Sequence, residues 1–252
     1  MTASAYSGLP RASSISERDF AEVRCRELPV VEDLANLRSI ALPAHEENCL
    51  LRTPRGPHQQ ALVEAYHRLR TRLAQNHDLS TLVVSESSAG EGRTLAALNL
   101  AWCFANTQDG RVLLVDADLR SKRLSQMLGL QSPGLGEIIE KGHALEEALV
   151  RTNIANLFVV PAGTISGGPP EVLSGPEWQK FITWSEAQFK LVLIDAPPVL
   201  RFADFDLIAS ACRHVLLVAC GRKTNRTSLA DACAHVNARK FLGVIYTSQE
   251  NS

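Results

Sequence analysis

A short turn rich in small residues has the composition of an anion-binding loop. It lies within Thr81–Thr94, TLVVSESSAGEGRT, where an apolar run leads into the turn and an Ala- and Leu-rich segment follows. Gly90 and Gly92 allow the backbone to curl, so that several N–H groups can point at one anion. A strand, a glycine-rich turn and a helix in this order form a phosphate-binding loop. The residues predicted to bind phosphate through their backbone are Ser88, Ala89, Gly90, Glu91 and Gly92.

The end of this turn adds a hydroxyl and a cation. Thr94 is placed to offer its hydroxyl to Mg²⁺, as in the pattern G-x-x-x-x-G-K-[ST]. The chain departs from that pattern twice, because Ser87 replaces the first Gly and Arg93 replaces the Lys. Lys is a compact point charge, whereas Arg is a longer planar fork. The alternative is an ordinary strand–turn–helix connection that binds no ligand.

Two aspartates follow the next apolar run, in VLLVDADLR. Residues two apart in a strand-like geometry face the same side, so Asp116 and Asp118 can address one target. Two carboxylates so arranged can bind one Mg²⁺ or take the proton of one hydroxyl. The sequence therefore predicts a catalytic or metal-binding role for this pair.

A third acidic position ends another apolar run, in LVLIDAPPVL. Asp195 follows four apolar residues, and Pro197-Pro198 prevents the strand from continuing. This is the Walker B arrangement, which holds Mg²⁺ through its water shell. An Asp that merely ends a strand or starts a turn would give the same local pattern. Three such motifs in order along one chain favour the functional interpretation, with Thr94 and Asp195 at Mg²⁺ and the pair Asp116 and Asp118 facing one Mg²⁺ or one hydroxyl.

Composition narrows the class of protein. The chain has 252 residues, 45% of them hydrophobic and 21% charged, with a formal net charge of −1. This balance argues against nucleic acid as a partner and is typical of a globular protein. Six cysteines form no C-x-x-C pair, and the sequence has neither an apolar leader nor a long apolar run. We therefore expect a cytoplasmic protein.

Short apolar strands alternate with helical segments after residue 59. Continuous runs rich in Val, Ile and Leu are typical of the strands of a parallel sheet covered on both faces. Such runs lie at Val112–Asp116, Leu157–Val160, Leu191–Ile194 and Val215–Val218. We predict an α/β fold, a doubly wound, mostly parallel sheet, over residues 59–252. Residues 1–58, rich in Ser, Pro and charge, are predicted to form a flexible arm. The arm's apolar clusters Leu28–Val31 and Ile40–Leu42 could dock on the main domain or on a partner, as an alternative to the favoured interpretation that they are disordered.

The three motifs together carry a family likeness. LVVSESSAGEGRT, VLLVDADLR and LVLIDAPPVL resemble the Walker A, Walker A′ and Walker B motifs of the bacterial tyrosine kinases (BY-kinases). This family is related to the septum-site and partition ATPases. VEAYHRLRTRL is similar to its amphipathic oligomerisation helix, FVVPAGTISGGPPEVL to its PAG segment and GRKT to its late AGKT turn. The resemblance runs from about Glu64 to Val244.

The resemblance implies a fold, ligands and partners. It implies a P-loop NTPase-type domain that binds ATP or ADP with Mg²⁺ and phosphorylates tyrosine on a neighbouring subunit. It places Asp116 at the metal, together with Thr94 and Asp195. It also implies a role in regulating exopolysaccharide or capsule polymerisation and export. The implied partner is a membrane polysaccharide co-polymerase, or chain-length regulator, which would recruit this chain to the inner face of the membrane. Helix Glu64–Leu73 would form the contact in a homo-oligomer.

Roles carry over onto the matching residues. Arg93 takes the place of the lysine on the phosphates, and Asp116 or Asp118 serves as the base. Arg120 lies near the phosphates or the subunit interface, and Asp204 matches a further family aspartate.

The chain departs from the family pattern at four places. Arg93 replaces Lys, and His67 replaces the middle Arg of E-x-x-R-x-x-R. In the family, the final strand usually ends in an Asn near the nucleotide base, and here Thr247 stands at that position. The three tyrosines form no cluster, so none is expected to be a tail acceptor. These departures leave three alternatives: an active kinase or ATPase, a catalytically inactive pseudokinase scaffold, and, ranked last, a partition-type positioning ATPase.

Overall fold

The computed structural model describes residues 37–42, 57–107, 110–131, 133–221 and 223–247. Within these ranges one sheet of eight strands is flanked by helices. The strands are β1 (Ser39–Ile40), β2 (Thr81–Glu86), β3 (Val112–Asp116), β4 (Val150–Thr152), β5 (Leu157–Val160), β6 (Leu191–Asp195), β7 (His214–Cys220) and β8 (Phe241–Thr247). The helices are α1 (Pro57–Leu73), α2 (Arg93–Ala105), α3 (Arg123–Met127), α4 (Leu135–Lys141), α5 (Leu145–Ala148), α6 (Pro169–Leu173), α7 (Pro176–Gln188), α8 (Asp204–Ser210) and α9 (Arg226–His235).

The sheet is parallel except at one pairing, so that β1 and β4 run opposite to the other six strands. Its order is β1-β4-β5-β3-β6-β2-β7-β8, and only β4 runs antiparallel to its neighbour β5 while pairing in parallel with β1. All residues of β2, β3, β5, β6 and β7 are buried, which requires cover on both faces. The predicted fold class is therefore confirmed, with β1 and β4 as the two strands that run opposite to the rest.

Part of the predicted arm belongs to this sheet. Ser39–Ile40 pairs with Arg151–Thr152, and the amide of Leu42 donates a 3.0 Å hydrogen bond to Asn153 Oδ1. The side chain of Leu42 is buried, so the cluster Ile40–Leu42 docks on the sheet, contrary to the favoured prediction of disorder. The cluster Leu28–Val31 lies outside the described residues. The rest of the arm lies outside the described residues, apart from the start of α1. The boundary at residue 59 stays a prediction.

Helix α1 uses its apolar face within the fold. Tyr66 and Leu73 are buried in the core, and the ring of His67 lies 6.1 Å from that of Trp102 on α2. The apolar stripe that the sequence shows is therefore explained by packing on α2. The exposed positions Glu64, Arg68 and Arg72 are four residues apart, so they share one outer face. Within the described ranges, no helix combines the length and apolar character needed to cross a membrane.

Three neighbouring strands deliver acidic residues to one edge of the sheet. The strands β2, β6 and β3 lie side by side and end at Glu86, Asp195 and Asp116. Asp116 and Asp195 are paired in register across β3 and β6. Because ligands of open α/β sheets bind at the carboxyl ends of the strands, this edge is the place to look for a site.

Candidate nucleotide-binding site

The loop between β2 and α2 depends on two glycines. We call residues Ser85–Gly92 the phosphate loop. Gly90 and Gly92 have φ values of 93° and 99°, a region that other L-residues rarely adopt. Gly92 is the N-cap of α2, so the loop ends where the first-turn N–H groups of that helix begin. The predicted strand–turn–helix arrangement is therefore present, with a backbone suited to an anion.

The amides of this loop are bonded to its own carboxylates. Glu86 accepts hydrogen bonds from the amides of Gly90 at 3.2 Å and Glu91 at 2.8 Å. Glu91 in turn accepts from the amide of Ser87 at 3.0 Å. Ser88 forms the exposed tip of the loop together with Ala89. The predicted anion-binding turn therefore holds side-chain anions from within the chain.

Arg93 is buried among three acidic residues. Its Nη2 lies 2.7 Å from Asp118 Oδ2, and its Nε lies 3.2 Å from Asp195 Oδ1 and 3.7 Å from Glu86 Oε1. Its Nη1 donates to the carbonyl oxygen of Ala196. Burial by itself lowers the pKa of Arg93, but the three carboxylates outweigh it and raise that pKa. The guanidinium is therefore charged and points to the strand ends.

Thr94 and Asp195 form the junction between the loop and the sheet. The Thr94 hydroxyl donates a 2.8 Å hydrogen bond to Asp195 Oδ2. In the described part of the chain, Asp195 Oδ1 accepts no hydrogen bond although it is fully buried. Burial raises the pKa of Asp195; Arg93 opposes this rise, and the adjacent Asp116 adds to it.

Asp116 is held from one side only. Its Oδ2 accepts from the amide and the hydroxyl of Ser125 at 2.8 and 2.7 Å, and the same hydroxyl accepts from the amide of Ala162. Its buried Oδ1 has no hydrogen-bond partner among the described residues. Burial raises the pKa of Asp116, while the bonds from Ser125 act in the opposite direction.

Asp118 is saturated with donors. Its Oδ2 accepts from Arg93 and from the Ser121 hydroxyl at 2.6 Å, and its Oδ1 accepts from the amides of Arg120 and Ser121. Burial alone would raise the pKa of Asp118, but Arg93 and Ser121 lower it below its ordinary value. Asp116 and Asp118 therefore differ in basicity, although they are two residues apart.

Arg120 makes a forked ion pair on the rim of the site. Its Nε and Nη2 donate to the two carboxylate oxygens of Asp204 at 2.6 and 3.1 Å. Its guanidinium lies 4.2 Å from the ring centre of Phe202. Arg120 and Asp204, which the sequence singled out separately, are thus in direct contact, and their pairing fixes a cation at the mouth of the cleft.

Most of the site residues predicted from the sequence line one cleft of about 650 Å³. Those that line it are Ala89, Gly90, Gly92, Arg93, Thr94, Asp118 and Arg120. Asp116 and Asp195 are buried at the adjacent strand ends, and Ser88 is not among the lining residues. Glu91 faces a second cavity of about 440 Å³, next to Thr247. The Thr247 hydroxyl donates to the carbonyl of Glu91 at 3.3 Å, so the final strand contacts the loop.

The chemistry of the carboxylates fits a hard divalent cation. Asp116 Oδ1 and Asp195 Oδ1 are buried oxygens without hydrogen bonds in the described ranges, and the Thr94 hydroxyl adjoins Asp195. Within those ranges no three His, Cys, Asp or Glu side chains form a complete metal site. Mg²⁺ usually takes one or two carboxylates and completes its shell with water and phosphate oxygens. The residues therefore suit Mg²⁺ that arrives with a phosphate ligand.

Comparison with known proteins decides the family. Over 190 residues the chain is 31% identical to the tyrosine-protein kinase CpsD of Streptococcus pneumoniae, an alignment that covers 72% of this chain and 82% of CpsD. The chain belongs to the bacterial tyrosine kinase family. The BceF tyrosine kinase domain superposes with a TM-score of 0.65 and 29% identity, covering 74% of this chain and 77% of that one.

A wider likeness concerns the fold alone. The septum-site protein MinD of Pyrococcus horikoshii, solved with Mg-ADP, superposes with a TM-score of 0.51 at 22% identity, covering 67% of this chain and 69% of MinD. No protein-family model matches the chain. The predicted resemblance to bacterial tyrosine kinases and to the P-loop fold is confirmed.

Two residues of this candidate site were not predicted from the sequence. Glu86 lies in the run TLVVSE as a charged residue among apolar ones, and its position directly before the small-residue turn is a signal that could have been used. Ser125 lies nine residues after Asp116 and has no motif of its own. Its role depends on the path of the chain between β3 and α3, which the sequence pattern does not specify.

Proposed function

We propose that this chain binds a magnesium–nucleotide complex, ATP or ADP, beside the phosphate loop. The observation that carries the proposal is the 2.8 Å hydrogen bond from Thr94 to Asp195. It joins the loop to a strand end where Asp195 and Asp116 are in register. A hydroxyl and two carboxylates, each with one oxygen that accepts no hydrogen bond in the described part of the chain, are protein ligands of the kind that bind Mg²⁺ with a nucleotide, once Arg93 leaves Asp195 Oδ1.

The residues take distinct roles in this proposal. Thr94, Asp116 and Asp195 hold Mg²⁺, which when bound neutralises phosphate charge. The backbone of Ser88–Gly92 holds phosphate oxygens, and Arg120 supplies positive charge at the rim. Arg93 reaches the phosphates only after it leaves Asp118.

Asp116 is a better candidate than Asp118 for a catalytic base, a role that is an alternative to its role as a Mg²⁺ ligand because both would use the same oxygen, Oδ1. A base needs a free oxygen and a pKa near the working pH. Burial raises the pKa of Asp116, and its Oδ1 is unbonded within the described ranges. Asp118 has a lowered pKa and four donors, so it is suited to positioning Arg93 and Ser121.

The proposed process is regulation of exopolysaccharide or capsule polymerisation and export. The family resemblance supports this proposal, with a membrane polysaccharide co-polymerase as the partner and the inner face of the cell membrane as the location. The outer face of α1, with Glu64, Arg68 and Arg72, is the surface that remains for a homo-oligomer contact, because the apolar face packs on α2.

A catalytically inactive scaffold is the second candidate. The observation in its favour is Arg93, which replaces the loop lysine and is bound by Asp118, Asp195 and the Ala196 carbonyl. A cation that is misplaced by about 1 Å can cost on the order of 100-fold in rate. The scaffold would keep nucleotide binding or partner binding without turnover.

Calorimetric titration with Mg-ATP and Mg-ADP tests the proposal. We expect binding that is lost in excess EDTA and weakened at least about tenfold in Asp195→Asn, because one metal ligand loses its charge. The matched control is Asp231→Asn on the exposed side of α9, which should bind like the wild type. Equal affinity in Asp195→Asn and Asp231→Asn would contradict the site. Phosphate release, measured on the same samples, separates the enzyme from the scaffold.

A further inference from the structure

We infer that Glu86 is an internal occupant of the phosphate seat, and that nucleotide binds by displacing its carboxylate from the loop. This inference rests on the proposed nucleotide-binding function and describes how that site is regulated. The phosphate loop would then exist in two arrangements, one closed by Glu86 and one opened by the phosphates of a ligand.

The closing contact is a fork on two consecutive amides. Glu86 Oε1 accepts from Gly90 N at 3.2 Å, and Oε2 accepts from Glu91 N at 2.8 Å. Both donors precede Gly92, in the part of the loop whose left-handed Gly90 turns successive N–H groups inward. A carboxylate with two oxygens on two amides reproduces how a phosphate group would be held there.

The Glu86 side chain is enclosed by the site itself. It is only 5% exposed, lines the main cleft and lies 3.7 Å from Arg93 Nε. A phosphate group seated on the same amides would place negative oxygens against this carboxylate, with the repulsion strengthened by burial. The two anions therefore exclude each other, and Glu86 must turn away before the loop can accept a ligand.

Arg93 adds a positively charged group to the closed arrangement. While Glu86 covers the amides, the Arg93 guanidinium lies between Asp118 Oδ2 at 2.7 Å and Asp195 Oδ1 at 3.2 Å. The chain thus supplies an anion at the predicted phosphate position and a cation at the predicted metal position. A magnesium–nucleotide complex carries both charges, so it can displace both groups in one binding event.

The competition has a measurable size. Hydrogen bonds to a charged acceptor are worth more than neutral ones, and two of them must be broken before binding. Removal of the Glu86 carboxylate should therefore raise the affinity for Mg-ADP by about tenfold or more. If Glu86 instead serves only to shape the loop, its removal should weaken binding, because the amides would lose their orientation.

Glu140 offers a matched control elsewhere in the fold. Its carboxylate also accepts from two consecutive amides, Ser166 N at 2.7 Å and Gly167 N at 2.9 Å. It does not line the main cleft. Glu140→Ala therefore removes the same charge and the same kind of fork without touching the phosphate loop.

The experiment compares wild type, Glu86→Ala, Glu86→Gln and Glu140→Ala by Mg-ADP titration. Glu86→Gln keeps the side-chain volume and guards against a folding defect in the smaller variant. Tighter binding in both Glu86 variants, with Glu140→Ala at the wild-type value, supports the inference. Unchanged or weaker binding in the Glu86 variants, while the wild type binds, overturns it and leaves the proposed function standing. Failure of every variant to bind overturns the proposed function, and the inference with it.

Amide hydrogen exchange without nucleotide checks the closed state directly. We expect the amides of Gly90 and Glu91 to exchange faster in Glu86→Ala than in the wild type, while Glu140→Ala changes only Ser166 and Gly167. Fast exchange at Gly90 and Glu91 in the wild type would show that Glu86 does not cover them, which would overturn the inference whatever the nucleotide affinity.

Discussion

Thr94 and Asp195 stand 101 residues apart in the sequence, and their side chains meet in a 2.8 Å hydrogen bond. Thr94 lies in the first turn of α2 and Asp195 ends β6, so this bond ties the helix that follows the phosphate loop to the centre of the sheet. A carboxylate as buried as Asp195 requires such a donor, because an unpaired charge in the interior is costly. The same bond places a hydroxyl beside the oxygen that would contact Mg²⁺.

Thr94→Val removes this hydroxyl without changing the side-chain volume. We expect the free energy of unfolding to fall by about 1.5–3 kcal/mol, the worth of a hydrogen bond to a charged group. Urea denaturation measures the change. Thr94→Ser keeps the hydroxyl and should retain most of the stability. If the Val and Ser variants unfold at the same urea concentration, the bond contributes nothing.

Ser125→Ala tests the support of Asp116. The hydroxyl of Ser125 donates to Asp116 and accepts from the amide of Ala162, so its loss leaves a buried N–H without an acceptor. We expect a loss of about 1–3 kcal/mol of unfolding free energy. Ser174→Ala, at an exposed residue whose hydroxyl bonds only within its own turn, is the control. Equal effects of the two changes would argue against a special role for Ser125.

Arg93→Met removes a cation that lies among three acidic residues. Breaking a buried ion pair from one side usually costs about 3–5 kcal/mol, because the remaining charge is uncompensated. We expect a loss of that order in thermal or urea unfolding. Arg93→Lys keeps the positive charge but loses the planar fork, so its unfolding free energy should lie between those of the wild type and Arg93→Met.

The exposed Arg201 supplies the comparison for this series. Arg201→Met also removes an arginine charge, but at the surface, where its loss should change stability by less than about 0.5 kcal/mol. A stability loss in Arg93→Met no larger than that would show that the carboxylates tolerate the absence of Arg93 by binding protons. NMR titration of Arg93→Met would then show raised pKa values for the carboxylates that face Arg93 in the wild type.

Stability should depend on pH through Glu86. Burial raises the pKa of Glu86 above its ordinary value of 4.5, and Arg93 only partly offsets the rise. A group with a raised folded-state pKa contributes stability below its unfolded pKa and loses it as pH rises through the folded value. The wild type should therefore lose stability relative to Glu86→Gln between pH 4.5 and neutral pH. Urea unfolding at several pH values measures this difference, and a difference that grows in the opposite direction would contradict the burial effect.

The sequence predicted the parts of the fold that repeat a simple pattern. Continuous apolar runs such as Leu191–Ile194 indicated buried parallel strands, and the acidic residues that end them indicated the ligand edge. Strand β4 was not predicted, because Val150–Thr152 is too short to show a period and pairs at the end of the sheet. Its identity depends on neighbours that are distant in the sequence.

The sequence predicted most residues of the candidate site, but it did not predict the contacts among them. Thr94, Asp116 and Asp195 follow strand and loop signals that are local, so the sequence brings them to one edge. The direction of Arg93 is a tertiary property, because three carboxylates from three strands and loops attract it. The contacts of Glu86 with the loop are also invisible to periodicity, since they depend on how the glycines turn the backbone.

The register of Asp116 with Asp195 has a consequence for how this protein can change over time. The two carboxylates belong to β3 and β6, whose residues are all buried, so both carboxylates are part of the core. The loop residues that cover or expose the phosphate seat lie outside those strands. A substitution at the exposed loop tip, Ser88 or Ala89, can therefore alter ligand binding while the buried strands keep both carboxylates in place, so an inactive variant need not be an unstable one.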